Sequence, residues 1–276
     1  MKEYELEEII RLALLEDAPY GDITTESLEI EGEGKGYFLA KEDFLLCGID
    51  VAAKVFKAID QNVKIAKKFK DGQFIKKGTK FCFVYGDLKA LLWGERTALN
   101  FLQRLSAIAT KTSRAVKLLG RSKTKLLDTR KTTPLLRSLE KYAVKVGGGN
   151  NHRMGLSDGI LIKDNHIQAV GSVSEAVKRA RRNCPMKKIE VEVKNVSEFI
   201  EAVKEKADII LLDNFAPEDL KKILKLKPKG ILTEVSGGVT LDNLPFLSKI
   251  GVDFVSMGAL THTVKAVDIS FEIEKQ

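Results

Sequence analysis

The sequence predicts an α/β protein built as two successive units, and three observations carry that prediction. Residues 4–16 read YELEEIIRLALLE, an amphipathic helical pattern, and short alternating runs such as KGYFLAKED and TKFCFVYG follow it. From about residue 124 the pattern changes to short apolar runs separated by amphipathic stretches, the signature of βα units around a parallel sheet. Those runs end on Arg130, Lys163, Glu192, Asp213, Ser236 and Gly258, 21–33 residues apart. A (β/α) barrel, closed or partly open, fits that spacing.

In order along the chain, the first helix gives way to DAPYGDITT, a loop by its Pro, Gly and Asp residues. The runs KGYFLAKED, FLLCGID and TKFCFVYG, with DG and KG turns in FKDGQFIKKGTKFCFVYG, read as a small β structure. It lacks the acceptor turn of a biotin or lipoate carrier. WGERTALNFLQRLSAIATKTSRAVKLL predicts a long helix into the second unit. The strands TKLLDTR, GILIKDN, KKIEVEV, ADIILLDN, GILTEVSGG and VDFVSMG then alternate with helices such as SEAVKRARRN and PEDLKKILKL.

Composition narrows the function. With 276 residues, 44% hydrophobic and 30% charged, the chain has the make-up of a soluble enzyme. Its start lacks the basic-then-apolar layout of a signal peptide, and no run reaches membrane-span length. Cys47, Cys82 and Cys184 are odd in number and scattered. They predict no disulfide framework or zinc site, and are expected as buried small apolar residues in a reducing cytoplasm. A net charge of +8 fits either a nucleic-acid surface or an anionic small substrate. With 7% aromatics the bases of RNA would find few stacking partners.

The strand ends hold the chemistry, because in such barrels the carboxyl ends of the strands converge on one face. Glu190 and Glu192 point to the same side of their strand, and only Glu192, nearer the end, is expected to reach the site. VSGGVTLDN and VSMGALTH place glycines where backbone N–H groups before a helix suit a phosphate. Arg130, Lys131, His152, Arg153 and Lys163 add cations, Arg forks for carboxylate or phosphate and Lys as point charges. The GGGNN run lets the backbone bring His152 and Arg153 beside the Arg130 loop. Acidic groups opposite suit sugar hydroxyls or a divalent metal. The implied ligand is polyanionic, with carboxylates and phosphates on a ribose-like body. His166 and His262 are expected to order loops, and no histidine pair has metal-ligand spacing.

DTRKTTP, KYAVKVGGGNNHRMGLSDGILIKDNHI, EVEV, IILLDN, EVSGGVTLDN and VSMGALTHTVKAVDIS, with EDAPYGDITT and GERTALNFLQRLSAIAT, together resemble the quinolinate phosphoribosyltransferase family (nicotinate-nucleotide pyrophosphorylase, carboxylating). The blocks span nearly the whole chain in the family's order. The resemblance implies an N-terminal α/β sandwich domain over 1–107, joined by the tail 265–276, and an open α/β barrel over 108–264. It implies a cytoplasmic homo-oligomer, at least a dimer, whose sites take in the neighbour's N-terminal domain. No nucleic-acid or membrane partner is expected. The implied reaction joins quinolinate to phosphoribosyl pyrophosphate (PRPP), giving nicotinate mononucleotide, pyrophosphate and CO2 for NAD biosynthesis, with magnesium arriving on PRPP near Glu192 and Asp213.

By the same resemblance Arg96 reaches across from the partner, and Arg130, His152, Arg153 and Lys163 surround quinolinate. Thr129, Lys131, Glu192 and Asp213 contact PRPP, and Lys131, Lys163, Glu192 and Asp213 carry the chemistry. Ser236, Gly237, Gly238, Met257, Gly258 and Ala259 cradle the 5-phosphate. Two positions depart from the family pattern. Leu135 stands where glycine is usual, and as a good helix former is expected to cost nothing. Cys47 replaces another small residue. A sister family of molybdenum-transport operons shares the Arg-Lys turn and the NHR block, but TTP leans away from it. A nicotinate-using sister does not need a cluster built for two carboxylates.

Overall fold

The computed structural model describes residues 3–275; Met1, Lys2 and Gln276 of the expected domain ranges lie outside them. By their internal contacts the residues form two compact units. One takes the chain up to Ser113, Thr133–Gly148 and the tail from Val264; the other takes Arg114–Thr132 and Gly149–Thr263. A single cut at 107/108 leaves 133–148 with the barrel, whereas its contacts assign it to the first unit.

In the first unit, α1 (Glu3–Asp17) buries Leu6, Ile10 and Leu14, one residue per turn on a single face. Within the DAPYGDITT loop lies a short helix, α2 (Ile23–Ser27). Asp22 caps it by accepting the Thr24 and Thr25 N–H groups. Next come β1 (Glu33–Ala40), β2 (Phe44–Leu45), α3 (Ile49–Ile59), β3 (Lys64–Lys67), β4 (Phe74–Ile75) and β5 (Lys80–Asp87). β1 alternates buried and more open positions, as a strand packed on one face must. The long helix α4 (Leu88–Leu119) and α5 (Arg137–Val146) complete the helices of this part of the chain.

An antiparallel sheet is ordered C-terminal strand (Ile269–Lys275), β1, β5, β3, and β2 pairs with β4. What docks the tail is aromatic packing. Phe38 and Phe56 both lie against Phe271, with ring centroids 4.9 and 5.4 Å away.

The second unit is an open α/β barrel. Its strands are β6 (Lys125–Leu127), β7 (Ile160–Ile162), β8 (Ile189–Val193), β9 (Ile209–Asp213), β10 (Leu232–Ser236) and β11 (Phe254–Ser256), one in each of the six apolar runs. They form one parallel sheet, ordered β6-β11-β10-β9-β8-β7. The edges β6 and β7 do not pair, so the barrel has a seam. The helices between strands are α6 (Asp164–Val170), α7 (Val173–Asn183), α8 (Val196–Lys204), α9 (Pro217–Leu226) and α10 (Leu244–Ile250). Ser172 and Asn195 cap α7 and α8 by accepting N–H bonds, and Pro217 opens α9.

Two expectations need correction. Cys47 and Cys82 are buried, but Cys184 is exposed, because it ends α7 at the surface. Leu135 does not start a helix: α5 begins at Arg137, and Leu135 has φ 65° with 78% of its surface exposed. An L-residue pays about 1–2 kcal/mol in that conformation. No helix among the described residues is long and apolar enough to cross a membrane.

Leu135→Gly is therefore expected to raise stability, by up to about 1 kcal/mol once the greater unfolded-state freedom of glycine is subtracted. Urea denaturation reads this as a higher midpoint; a lower one would show that the Leu135 side chain contributes more through contacts than its backbone costs.

Candidate active site

Alternate residues of the parallel strands turn into one cavity of about 710 Å³ at the carboxyl ends of the strands. Leu161 and Lys163 come from β7 and its end, Glu192 from β8, and Leu211 and Asp213 from β9. Glu234 and Ser236 come from β10, Ser256 and Gly258 from β11 and its end, and Thr129, Arg130 and Lys131 follow β6. The register sorts these into layers. Asp213 lies level with Ser236, and both Glu192 and Glu234 lie level with Leu211.

The seam is crossed by residues 150–159. Asn150 bridges to Leu127, its N–H donating to the Leu126 carbonyl at 2.8 Å. Asp128, fully buried, then accepts the His152 N–H through Oδ1 at 2.9 Å and the Asn151 side-chain amide through Oδ2 at 2.5 Å. The chain so fastened delivers His152 and Arg153 to the cavity before it enters β7.

The cations are held, not merely nearby. Arg153 donates from Nη1 to the Gly159 carbonyl at 3.0 Å. Burial, and then the neighbouring Arg130 charge, makes its guanidinium less basic than usual. Arg130 Nε is buried with no protein hydrogen-bond partner, although the residue lines the cavity. Two adjacent guanidiniums, one with an unused donor, fit an anionic ligand. Lys163, the residue before α6, forms an ion pair with Glu192.

His152 lines the cavity, yet both ring nitrogens face protein groups. Nδ1 accepts the Arg153 N–H at 2.7 Å, and Nε2 lies 3.1 Å from Glu190 Oε2. As expected, Glu192 reaches the cavity while Glu190 stays beneath it.

On the phosphate side one detail differs from expectation. Ser236-Gly237-Gly238 does not abut a helix, since α10 starts only at Leu244. Gly237 and Gly238 are instead consecutive left-handed residues, φ 81° and 59°, in a loop that lines the cavity, where the lack of side chains lets a ligand approach the backbone closely. A Cβ on Gly237 would come within 2.2 Å of Asn214 Oδ1. Gly258 opens a 3-10 turn over Gly258–Leu260, and its added Cβ would crowd His262 and Lys131 at 3.0–3.1 Å. Thr261 donates from Oγ1 to the Lys131 carbonyl at 2.7 Å, tying the two loops together.

The cavity thus gathers Thr129, Arg130, Lys131, His152, Arg153, Lys163, Glu192, Asp213, Ser236, Gly237, Gly238, Gly258 and Ala259. Two expected residues are placed otherwise. Met257 is buried, and its N–H donates to the Leu127 carbonyl. Arg96 is exposed on α4, in the first unit. Of the histidines left to loops, His166 accepts the Lys163 N–H through Nδ1, whereas His262 does line the cavity.

Sequence reasoning missed Asp128, Glu234, Asn214 and Thr240. A signal existed for two of them. Glu234 stands two residues before Ser236 in an apolar strand, the spacing that singled out Glu190 and Glu192. Asn214, at φ 56°, follows Asp213 in a run already marked by its polar end. Glu234 is 1% exposed, and burial first, then the Glu190 charge, pushes its pKa up to about 8.

Two family models match the chain. One, described as quinolinate phosphoribosyl transferase, C-terminal domain, covers residues 108–272; the other, its N-terminal domain, covers 22–106. The chain belongs to the quinolinate phosphoribosyl transferase family. It is 44% identical over 274 residues to a probable nicotinate-nucleotide pyrophosphorylase (carboxylating) of Bacillus subtilis, covering 99% of this chain and 95% of the relative. A protein of the same description from Methanocaldococcus jannaschii is 46% identical over 287 residues, covering 99% and 98%. Among solved structures, the nicotinate-nucleotide pyrophosphorylase of Francisella tularensis superposes with a TM-score of 0.95 at 39% identity, covering 99% of this chain and 98% of that one.

Two outcomes follow for this family member. Gly237→Ala is expected to cost roughly 1–3 kcal/mol in denaturant unfolding, from the left-handed backbone and the Asn214 clash; an unchanged midpoint would mean that the loop relaxes freely. The Glu234 proton gives a pH signature. The folded state keeps a proton that the unfolded state releases above the ordinary value of 4.5, so stability falls as pH rises from about 4.5 to about 8. Glu234→Gln should flatten this slope in unfolding curves taken across that window.

Proposed function

We propose that this chain transfers phosphoribose from PRPP to quinolinate with loss of CO2. The observation that carries this reading is one cavity lined by a guanidinium pair, Arg130 and Arg153, and by the Glu192–Asp213 carboxylates with the Gly237–Gly238 loop, Lys163 joining the two sets through its ion pair with Glu192. A dicarboxylate fits the first, a phosphorylated ribose the second.

The quinolinate ring nitrogen forms a bond to C1 of the ribose while the bond from C1 to the pyrophosphate oxygen breaks, its electron pair leaving with pyrophosphate. Positive charge gathers on the ribose ring as that bond breaks, and Glu192 and Asp213 stabilise it. The carboxylate beside the alkylated nitrogen then leaves as CO2. Its bonding pair stays on the ring carbon, stabilised by the positive nitrogen, until a proton takes the empty place. The other carboxylate remains, giving nicotinate mononucleotide.

Arg130 and Arg153 orient the carboxylates, and Lys163 sits between them and Glu192. Lys131 and Thr129 serve the pyrophosphate, and Ser236, Gly237, Gly238, Gly258 and Ala259 the 5-phosphate. The main contribution is alignment of two anions that repel each other. The hard carboxylate oxygens of Glu192 and Asp213 would hold magnesium carried on PRPP, and the ion would supply positive charge to offset that of the pyrophosphate.

The same reading makes the protein a cytoplasmic homo-oligomer, at least a dimer, in which the partner's N-terminal domain brings Arg96 to quinolinate. Exposure of Arg96 on α4 supports this.

Incubation with PRPP, magnesium and quinolinate, and in parallel with nicotinate, is expected to give nucleotide and CO2 from quinolinate alone. Product from nicotinate alone, or none from folded protein, would overturn the assignment. Mixing Arg96→Ala with Arg153→Ala under subunit exchange should restore about a quarter of wild-type activity, because roughly half the dimers are hybrids with one intact site of two. No recovery despite proven exchange would place Arg96 in its own chain's site.

A further inference from the structure

His152 meets two carboxylates to which the reaction above gives no task. Its Nε2 lies 3.1 Å from Glu190 Oε2 and 3.6 Å from Glu234 Oε2, and the two glutamate side chains are 7% and 2% exposed. One oxygen of each, Oε1, is buried without a protein hydrogen-bond partner. Glu190 shares the inward face of β8 with Glu192, two residues deeper, and Glu234 comes from β10.

Three roles compete for such a trio. The donor atoms lie close enough to hold a metal ion. Alternatively, the glutamates could keep His152 as an imidazolium that faces the substrate. The third is a neutral ring, held in place. The other ring nitrogen decides among them. Nδ1 is 2.7 Å from the Arg153 backbone N–H, which can only donate, so Nδ1 carries no proton and its lone pair is engaged. A neutral imidazole with a bare Nδ1 carries its proton on Nε2. Nε2–H then donates to Glu190 and offers no lone pair to a metal. An imidazolium would set a second proton against the Arg153 N–H.

We propose that Glu190 and Glu234 are positioning residues: they fix His152 as a neutral Nε2–H donor, and the ring, clamped at both nitrogens, sets the backbone from which Arg153 reaches a substrate carboxylate. The proposal rests on the reading of Arg153 as a quinolinate contact. Asp128 secures the N–H of His152, and the Gly159 carbonyl holds the Arg153 guanidinium, so the whole dipeptide is fixed at four points. His152 contributes shape here, and the charge comes from Arg130, Arg153 and Lys163.

The first test needs no turnover. Long-range proton–nitrogen NMR of full-length protein labelled at its three histidines, with His152 assigned from a His152→Asn sample, should show a bare Nδ1 and a protonated Nε2 at pH 7. A ring protonated on both nitrogens, or on Nδ1, overturns the proposal, as does loss of the Nε2–H signal on adding zinc or manganese.

The second test is kinetic. Glu190→Gln keeps an oxygen for Nε2–H and an amide for Glu234, so its KM for quinolinate should stay within about threefold of wild type. Glu190→Leu removes the acceptor and should raise that KM on the order of 10–100-fold, with kcat and the KM for PRPP within about threefold. Equal losses in both variants, or losses shared by PRPP, overturn the proposal. If the Leu variant does not fold, a Gln variant with a raised quinolinate KM does so instead. Wild-type silence with quinolinate sinks the substrate reading, while the spectrum still decides the state of the ring.

Discussion

The cationic half of the site depends on one buried carboxylate. The edges β6 and β7 of the parallel sheet do not pair, so the segment from residue 150 to 159 crosses a seam where only the bridge at Asn150 joins it to β6. Asp128 supplies the fixed point, accepting from the His152 backbone and the Asn151 side chain at once. Asp128 is fully buried, so loss of either bond would leave a desolvated charge, which costs more than an ordinary hydrogen bond is worth. The DTRK turn and the NHR block are thus parts of one structure: the first residue of one motif holds the backbone of the other.

Charge balance follows from this. Placing Arg130 beside Arg153 is unfavourable without an anion, and the lowered basicity of Arg153 records burial first and that repulsion second. The protein offsets only part of it. Glu192 is taken by Lys163, and Glu190 faces His152. The remaining imbalance is what draws an anionic ligand into the cavity. A site fully neutralised by its own side chains would bind a dicarboxylate poorly.

Much of the fold was legible in the residues because parallel strands covered by helices are short apolar runs, and all six runs became strands. The site was legible where a polar residue ended such a run: Lys163, Glu192, Asp213 and Ser236 all line the cavity. Strand periodicity put Glu190 and Glu192 on one side, and nearness to the strand end separated them. What stayed hidden depends on backbone conformation or on pairing distant in sequence. Nothing local marks Asp128 as the anchor of residues 151 and 152. Leu135 was read through side-chain propensity, but its φ is set by the turn between Thr133 and α5. The glycines after Ser236 line the cavity in a double left-handed loop and not at a helix N-terminus, because both devices favour glycine there.

Strand alternation also explains why the deeper acidic residues were harder to interpret. A parallel strand with two inward polar residues sets one at its carboxyl end and one a layer deeper. On β8 these are Glu192 and Glu190; on β10 they are Ser236 and Glu234. The outer member lines the cavity at the carboxyl end of its strand. Of the inner members Glu190 meets only protein, whereas Glu234, although buried, still touches the cavity. Carboxylates are expensive there, which is why a pair of them pointing at one imidazole is more than filler. The ring's N–H offsets part of that cost, and the return is a cationic loop that holds its shape.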